Sequence, residues 1–401
     1  MKNLQLFLII LLFINCESID NRDNNSSPST KEIKEVIPLS KAPELPKVIF
    51  TELSQITEAK KSTVIIDELI KYVNATPKEE SIYISIYLFE YAPLIQALKD
   101  AHSRGVEIYL TIDNSDRSNN QTTITELGAL GENMEIIPVK NDASSIAINH
   151  NKFVLFSKIE TEDQDLDQVV FQTSQNFTSS GTKKIQDALI FSNPELYNNY
   201  LDYWERIKAL STHSMSEFSY SEFTDDSEDI MLQFYPKRKN GERFGEDSII
   251  EILNKITDPE HSSITIGMSD WADSRVIIFD KLHELLLQGA EIEIITKTGK
   301  GPEVMKMLKK LQTNGAFIKV YNMSNASEVP VINIHTKILM IDGEYENKAQ
   351  QILITGTQNF TNNAIWNNNE VSLILKNNNL FNVYREYFQE LKALPGIDLN
   401  Q

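Results

Sequence analysis

The 401-residue chain contains a single cysteine, Cys16, so the sequence excludes an internal disulfide, a cysteine-based zinc site and an iron–sulfur cluster. Positive charge is also scarce: 38 Lys and Arg residues stand against 57 Asp and Glu residues and leave a formal net charge of −19. Such an acidic surface repels polyphosphate and disfavours a broad, non-specific nucleic-acid coat, although it leaves room for a local basic pocket. The composition, with 41% hydrophobic and 24% charged residues, is typical of a globular protein.

Long apolar runs are missing beyond the N-terminus, and the run at residues 6–14 is too short to span a bilayer, which takes about 20 residues. This run suits a secretory signal, and its end at Asn15-Cys16 resembles a bacterial lipoprotein signal, in which the cysteine becomes the lipidated first residue. We predict a signal peptide at residues 1–16, lipidation of Cys16 and a flexible tether over residues 17–46. The protein is then exported and lipid-anchored in the bacterial cell envelope. The alternative is an ordinary cleaved signal and a freely secreted protein.

Apart from this leader, the sequence is one unit that occurs twice, at a lag of 182 to 185 residues. Four pairs of segments correspond in order: 82–86 with 264–268, 104–112 with 288–296, 150–152 with 335–337, and 173–178 with 356–361. Because the lag is long and nearly constant, it indicates a duplicated domain and not a solenoid of short repeats. We place the first unit at residues 47–210, an acidic connector at 211–229 and the second unit at 230–401.

Each unit alternates amphipathic helices with short β-branched strands. The predicted helices are 63–73 and 93–103 in the first unit and 248–256 and 274–287 in the second. The predicted strands are 82–88 and 106–112, then 264–268 and 291–296, with extended apolar runs at 146–156 and 331–341. This alternation is typical of an α/β fold in which helices cover both faces of a sheet.

Candidate catalytic residues lie at matching offsets in the two units. A histidine and a lysine two residues apart are followed by a hydroxyl and an amide two residues apart, and a carboxylate comes eleven residues after the amide. The two sets are His150, Lys152, Ser174, Asn176 and Asp187, and His335, Lys337, Thr357, Asn359 and Glu370. In a strand, residues two apart point to the same face, so each unit should present its imidazole beside its ammonium group.

These motifs resemble those of the phospholipase D superfamily, whose signature is His-x-Lys-x4-Asp followed by Gly-Ser/Thr-x-Asn. The second copy fits throughout, including Asp342 and Gly356, whereas in the first copy Ser157 takes the place of the aspartate and Thr173 that of the glycine. The resemblance implies two tandem α/β/α sandwich units related by a pseudo-two-fold axis, with one active site built from both motifs. It also implies that no metal or other cofactor takes part, and that Asp342 supports the structure around the site.

A phosphodiester is anionic, so the two lysines and the two asparagines are suited to neutralise and fix its non-bridging oxygens. One neutral histidine can attack phosphorus while the other, protonated, supplies a proton to the leaving oxygen. The resemblance makes His150 the nucleophile and His335 the acid, whereas the residues alone leave this assignment open. Asp187 and Glu370 are expected to accept a hydrogen bond from the second nitrogen of each imidazole.

The sequence therefore predicts a metal-independent phosphodiesterase that works through a phosphohistidine, most simply a phospholipid hydrolase. We expect a monomer without an obligate protein partner, acting on phospholipid at a membrane surface, with nucleic acid a less favoured partner. The alternatives are a phosphatidyltransferase of the cardiolipin-synthase type, a nuclease, and a degenerate, non-catalytic lipoprotein. A basic pair, Lys183-Lys184, could assist an anionic head group, although it also suits a solvated loop.

Overall fold

The computed structural model describes residues 35–399 except 226, 228, 325–328, 377–378 and 398. The predicted signal peptide, the lipidation site Cys16 and the first part of the predicted tether lie outside the described residues. The described end of that tether is bonded to the first unit, because the amides of Ile37 and Leu39 donate hydrogen bonds to the carbonyls of Asn74 and Glu160. The segment that starts at Ile37 is therefore part of the first unit and is not a free tether. Within the described residues, no helix is both long and apolar enough to cross a membrane.

The chain forms two sheets with their helices. The elements of the first half are β1 (Lys47–Phe50), α1 (Leu53–Thr57), α2 (Val64–Asn74), β2 (Ser81–Ile86), α3 (Ala92–Arg104), β3 (Glu107–Asp113), α4 (Gln121–Gly128), β4 (Met134–Val139), β5 (Lys152–Ile159), β6 (Leu166–Thr173), β7 (Asp187–Ser192) and α5 (Pro194–Ala209). Those of the second half are β8 (Ser221–Asp225), β9 (Ile230–Tyr235), β10 (Arg238–Lys239), β11 (Glu242–Arg243), α6 (Ser248–Leu253), β12 (Ile256–Met268), α7 (Val276–Leu287), β13 (Glu291–Lys297), α8 (Pro302–Thr313), β14 (Phe317–Tyr321), β15 (Lys337–Tyr345), β16 (Lys348–Gly356), α9 (Asn362–Trp366), β17 (Glu370–Lys376) and α10 (Asn379–Ala393).

The two sheets share one strand order, which confirms the duplication. The first runs β1-β7-β6-β5-β2-β3-β4, and the second runs β9-β17-β16-β15-β12-β13-β14 with β8 added at its β9 edge. In each half the pairs β2–β3–β4 and β12–β13–β14 are parallel, and the strands on the other side of β2 and β12 are antiparallel. The strands that carry the His-x-Lys lysines, β5 and β15, therefore lie at the centre of their sheets.

Helices cover both faces of each sheet, as the alternation of the sequence predicts. Along β5, Phe153 packs into a central core with side chains from both halves, and the next residue, Val154, faces an outer core with α2 and α3. The central core contains α5 and α10 and holds Trp204 and Tyr384, both fully buried. Burying each such large side chain contributes about 1.5–3 kcal/mol, so this shared core holds the halves together.

The structure adds to or differs from the predicted elements in three places. Helix α6 ends at Leu253, three residues before the predicted end, because the chain enters β12 at Ile256 and pairs there with β15. The connector 211–229 is not a plain linker, since Ser221–Asp225 forms β8 and pairs with β9. The two apolar runs with the histidines become regular strand only from Lys152 and Lys337, so each histidine precedes its strand.

Candidate active site

Each histidine enters the site on a segment that pairs with the other half of the protein. The amide of His150 donates a 2.9 Å hydrogen bond to the carbonyl of Asn369, just before β17. Reciprocally, the amide of His335 donates a 2.8 Å hydrogen bond to the carbonyl of Ile185, just before β7. These two isolated bridges exchange partners between equivalent segments, as expected for a pseudo-two-fold relation. They bring both histidines to the interface between the halves.

The imidazole of His150 is paired with the carboxylate of the other half. Its Nδ1 lies 2.7 Å from Oε2 of Glu370, which is fully buried, and the side-chain amide of Asn368 donates to Oε1 of the same carboxylate. With its proton on Nδ1, the neutral ring leaves Nε2 with a free electron pair. Burial lowers the pKa of His150 to about 4 even though Glu370 acts in the opposite direction, so the ring is neutral at pH 7.

Nδ1 of the His335 imidazole lies beside two neutral oxygens and 3.1 Å from Nζ of Lys337, with no carboxylate among its contacts in the described residues. The two oxygens are Oε1 of Gln186, at 2.8 Å, and the carbonyl oxygen of Ser174, at 3.1 Å, both in the first half. Burial lowers the pKa of His335 well below 6.5, and the neighbouring cations Lys337, Lys184 and others lower it further. The two rings are therefore not equivalent, because only His150 has a carboxylate to stabilise a positive charge on it.

The lysines of the two motifs are buried beside their histidines. Nζ of Lys152 donates to the carbonyl of His150 at 2.6 Å, and Nζ of Lys337 donates to the carbonyl of His335. Burial lowers the pKa of Lys152 to about 7 and that of Lys337 well below its usual range. Each charge also reaches the opposite ring, since Lys337 lowers the pKa of His150 and Lys152 lowers that of His335. The two motifs thus converge on one cationic site.

The two predicted amides are buried with an unused acceptor. Among the described residues, Oδ1 of Asn176 and Oδ1 of Asn359 have no hydrogen-bond partner. Their neighbours have structural roles, because the hydroxyl of Ser174 donates to Asp187 and that of Thr357 accepts from the amide of Val371. Since a side-chain amide can turn to present either its oxygen or its nitrogen, both asparagines can offer a donor to a phosphate oxygen.

The predicted contact between Asp187 and an imidazole is wrong. Its carboxylate instead accepts hydrogen bonds from the hydroxyls of Ser174 at 2.6 Å, Thr355 at 2.7 Å and Tyr384 at 2.8 Å. Thr355 and Tyr384 belong to the second half, so Asp187 fastens the interface. The place beside the second imidazole is taken by Gln186, one residue earlier.

The motif aspartate and its replacement lie away from the reacting groups. Asp342 is five residues beyond Lys337 along β15, about 16 Å at the usual strand rise, and accepts from Gln351 at 2.9 Å. Ser157 has the equivalent place on β5, where its hydroxyl donates to Glu80 at 2.6 Å. Both side chains bind parts of their own half. The replacement of aspartate by Ser157 therefore leaves the contacts of both imidazoles intact.

Sequence reasoning missed one group that contacts an imidazole, Gln186. Gln186 was hidden because the carboxylate beside it fits the repeat better, although Asn369 stands at the same place before Glu370. Tyr87, at the end of β2, lies with its ring centroid 5.4 Å from that of His150 and 5.7 Å from Nζ of Lys152. Its position after a strand predicts either a place at the substrate mouth, because ligands bind beyond the carboxyl ends of such strands, or packing in the core or at its rim.

The donor set does not suit a divalent cation. No group of three or more His, Cys, Asp or Glu side chains placed to hold a metal occurs in the part of the chain that the structure describes. The two imidazoles are accompanied by buried ammonium groups, which repel a cation and already supply positive charge for an anion. The arrangement therefore suits an anion.

Replacing Gln186 by glutamate is expected to raise the pKa of His335, because a carboxylate would replace the neutral oxygen at 2.8 Å from Nδ1. An opposite charge in contact shifts a pKa by about 1–3 units. The alkaline limb of a kcat/KM profile that requires protonated His335 should move to higher pH by at least about one unit. Gln186→Met, which lacks the charge, is the control. An unchanged limb in a folded Gln186→Glu protein would contradict the role of His335 as proton donor.

Comparison with known proteins agrees with this geometry. The family model described as "Cardiolipin synthase, PLD-like domain" matches residues 69–208 and 252–392, one stretch in each half. A phospholipase D of Rickettsia conorii is 29% identical over 132 residues, which cover 33% of this chain and 58% of the relative. A phospholipase D of Rickettsia bellii is 26% identical over 169 residues, covering 41% of this chain and 77% of the relative.

Among solved structures, the phosphatidylserine synthase of Haemophilus influenzae shares the fold. It superposes with a TM-score of 0.60 over 88% of this chain and 90% of its own, at 9% sequence identity. The first of the curated relatives is matched over little more than half of its own length. The two family matches together span more than half of this chain, and each contains one His-x-Lys motif. The chain therefore belongs to the phospholipase D superfamily, and it contains two phospholipase-D-like units in one polypeptide.

Proposed function

We propose that the protein is a metal-independent phosphodiesterase that hydrolyses phospholipids through a phosphohistidine at His150. The observation that carries the proposal is the pairing of His150 with Glu370 across the interface, whereas the second imidazole, His335, contacts Gln186 and Lys337 and no carboxylate among the described residues. A ring with its proton on Nδ1 and a carboxylate behind it is a nucleophile at Nε2. The positive charge that it acquires on bonding to phosphorus is stabilised by Glu370.

The reaction has two steps. Nε2 of His150 attacks phosphorus, the bond from phosphorus to the leaving oxygen breaks, and protonated His335 transfers its Nε2 proton to that oxygen. Lys152, Lys337 and the two asparagines bind the non-bridging oxygens. A water molecule then attacks phosphorus, gives its proton to His335, and the bond between phosphorus and His150 breaks. Both histidines return to their starting states.

The low pKa of His335 fits this sequence once substrate is bound. In the free protein, burial and the surrounding lysines oppose protonation of the ring. A bound phosphodiester brings a negative charge that offsets those lysines, so the pKa of His335 rises when its proton is needed. The acid therefore becomes available with the substrate in place.

Phospholipid is the favoured substrate class because the apolar run at residues 6–14 and Cys16 suit an exported, lipid-anchored protein. The net charge of −19 also disfavours nucleic acid, because an acidic surface repels it. A monomer needs no partner protein for this reaction, since both motifs lie in one chain. The first alternative is a nuclease, which would cleave the phosphodiesters of nucleic acid with the same residues. A degenerate, non-catalytic protein is the rival from another class.

A substrate panel tests the proposal. Purified protein is offered phosphatidylcholine, phosphatidylethanolamine, phosphatidylglycerol, cardiolipin and single-stranded DNA, with and without a chelator. We expect head-group release from a phospholipid at a rate that chelator leaves unchanged. His150→Ala should abolish it, whereas His261→Gln, at an exposed histidine paired with Asp258, should not. Cleavage of DNA alone, or loss of activity with chelator, would overturn the proposal.

A phosphatidyltransferase is the second candidate, favoured by the description of the matching family model. Transfer uses the same phosphohistidine, and an alcohol takes the place of water in the second step. Adding glycerol to the lipid assay decides between them. A transferase yields mainly phosphatidylglycerol, whereas a hydrolase still yields mainly phosphatidic acid at low glycerol concentration.

A further inference from the structure

Two further lysines flank His335, one from each half. Lys184 directly precedes Ile185, whose carbonyl binds the amide of His335 and whose amide donates to the carbonyl of Asn333. Lys297 ends β13, and its Nζ donates to the side-chain oxygen of Asn333 at 2.7 Å. The crossing of the two halves at Ile185 and Asn333 thus brings Lys184 and Nζ of Lys297 to the segments beside His335, whose pKa both lysines lower.

Among the residues that the structure describes, neither ammonium group forms an ion pair with a carboxylate, although Asp270 is near enough to raise the pKa of Lys297. The acceptors of Lys297 are the neutral side chains of Asn333 and, at 3.4 Å, Ser269. Among the described residues, the half-buried side chain of Lys184 has neither a hydrogen bond nor an ion pair. Nearby Lys300 shows the usual arrangement in this acidic chain, since it pairs with Asp270 at 3.0 Å. Two half-buried cations without an ion-pair partner, in a chain of net charge −19, favour the binding of an anion.

Lys184 and Lys297 add positive charge to that of Lys152 and Lys337, and together these lysines oppose protonation of His335. Burial lowers the pKa of Lys184, and burial and the neighbouring Lys300 and Lys184 lower that of Lys297 to about 8. Both lysines lower the pKa of His335, which must carry a proton to act as an acid. One phosphodiester charge faces Lys152 and Lys337 already. A second anion beside Lys184 and Lys297 would relieve the remaining repulsion and favour protonated His335.

We propose that Lys184 and Lys297 form a subsite for a second phosphate group, carried by the leaving group of the substrate. This inference rests on the proposed function, because His335 is assigned to the leaving group as its proton donor. Two phosphates on a short linker occur in a dimeric phospholipid such as cardiolipin and in a nucleic-acid strand. We assign the subsite to the lipid, for the reasons that favour phospholipid as substrate.

A binding measurement tests the subsite without catalysis. Isothermal titration calorimetry at pH 7 compares glycerol 3-phosphate with glycerol 1,3-bisphosphate, which differ only in the second phosphate. The bisphosphate should bind at least about tenfold more tightly, because each charge-assisted contact adds to the affinity. Lys184→Gln and Lys297→Gln should each remove most of this advantage and leave binding of the monophosphate little changed. Lys183→Gln, at the exposed neighbour, is the matched control.

Equal affinity for the two probes, or a loss as large in Lys183→Gln as in Lys184→Gln, would overturn the subsite. Kinetics then identify the source of the second phosphate. With cardiolipin in mixed micelles, Lys184→Gln should raise KM about tenfold, and with phosphatidylglycerol it should change KM little. A preference for the second phosphate only among dinucleotides, TpTp over TpT, would overturn the lipid assignment.

The outcomes for the subsite and for the proposed function are separable. If the bisphosphate binds more tightly and neither lipid nor dinucleotide is cleaved, the proposed function fails and the subsite stands. If lipids are hydrolysed and KM for cardiolipin is the same in Lys184→Gln as in the unmodified protein, the subsite fails and the proposed function stands.

Discussion

Replacing His335 by glutamine should leave a protein that forms the phosphohistidine at His150 but does not resolve it. With bis(p-nitrophenyl) phosphate the leaving phenolate needs no proton, so the first step does not require the acid. Resolution requires a base to accept a proton from water, and its loss should slow turnover about 10²–10⁴-fold. Rapid mixing should therefore show a burst of about one phenolate per protein molecule, followed by a slow steady state.

His150→Gln is the matched variant and should show neither burst nor turnover. An acid-labile p-nitrophenylphosphoryl group on the protein, located by mass spectrometry of peptides, should map to His150 in His335→Gln. A burst in His150→Gln and none in His335→Gln would reverse the two roles. The absence of a burst in both, in proteins that still bind glycerol 3-phosphate, would contradict covalent catalysis at this site.

The architecture could be predicted from the repeat. A lag near 184 residues between matching segments requires two copies of one strand order, and the sheets have that order. The extra strand β8 could not be predicted this way, because it lies in the connector and has no counterpart in the first half. Its polar, alternating sequence, Ser221–Asp225, becomes a strand only because the edge of β9 is there to pair with it.

The spacing of residues in the sequence could not predict that His150 of the first half pairs with Glu370 of the second half. Period-two alternation places Lys152 near His150, both in one unit, and it does not indicate what lies across an interface. Glu370 reaches His150 because the segment before β17 pairs with the segment before β5 of the other half. The partner of each histidine is thus set by the packing of two domains, which a single unit's pattern does not encode.

The asymmetry between the halves has a simple physical origin. Asp187 is one methylene shorter than Glu370, and the hydroxyls of Thr355 and Tyr384 both donate to its Oδ2 while that of Ser174 donates to its Oδ1. Its carboxylate is therefore satisfied inside the interface, and the imidazole of His335 binds Gln186. Equal positions in a repeat predict equal chemistry only where the surroundings are also repeated. α10 supplies Tyr384 here, whereas α5, its counterpart, supplies other side chains to the same core.

This asymmetry predicts opposite effects for two conservative substitutions. Glu370→Gln should lower kcat roughly 10³-fold, since a neutral amide neither fixes the Nδ1 proton of His150 nor stabilises charge on the phosphorylated ring. Asp187→Asn should change kcat of the folded protein less than about tenfold, because Asp187 touches neither imidazole. It should instead lower the free energy of unfolding by about 2–4 kcal/mol, because three hydroxyl donors would lose their charged acceptor in a buried place.

Turnover of bis(p-nitrophenyl) phosphate and unfolding in urea, measured on the same preparations, check both halves of this prediction. Glu370→Asp is the informative third variant, because it retains the charge and shortens the side chain. If the carboxylate acts on Nδ1 of His150 at 2.7 Å, the shorter side chain should recover only part of the activity. Loss of turnover in Asp187→Asn with unchanged unfolding would assign the catalytic carboxylate to the first half. That result would show that the two halves use their acids alike and would refute the exchange of partners on which the mechanism depends.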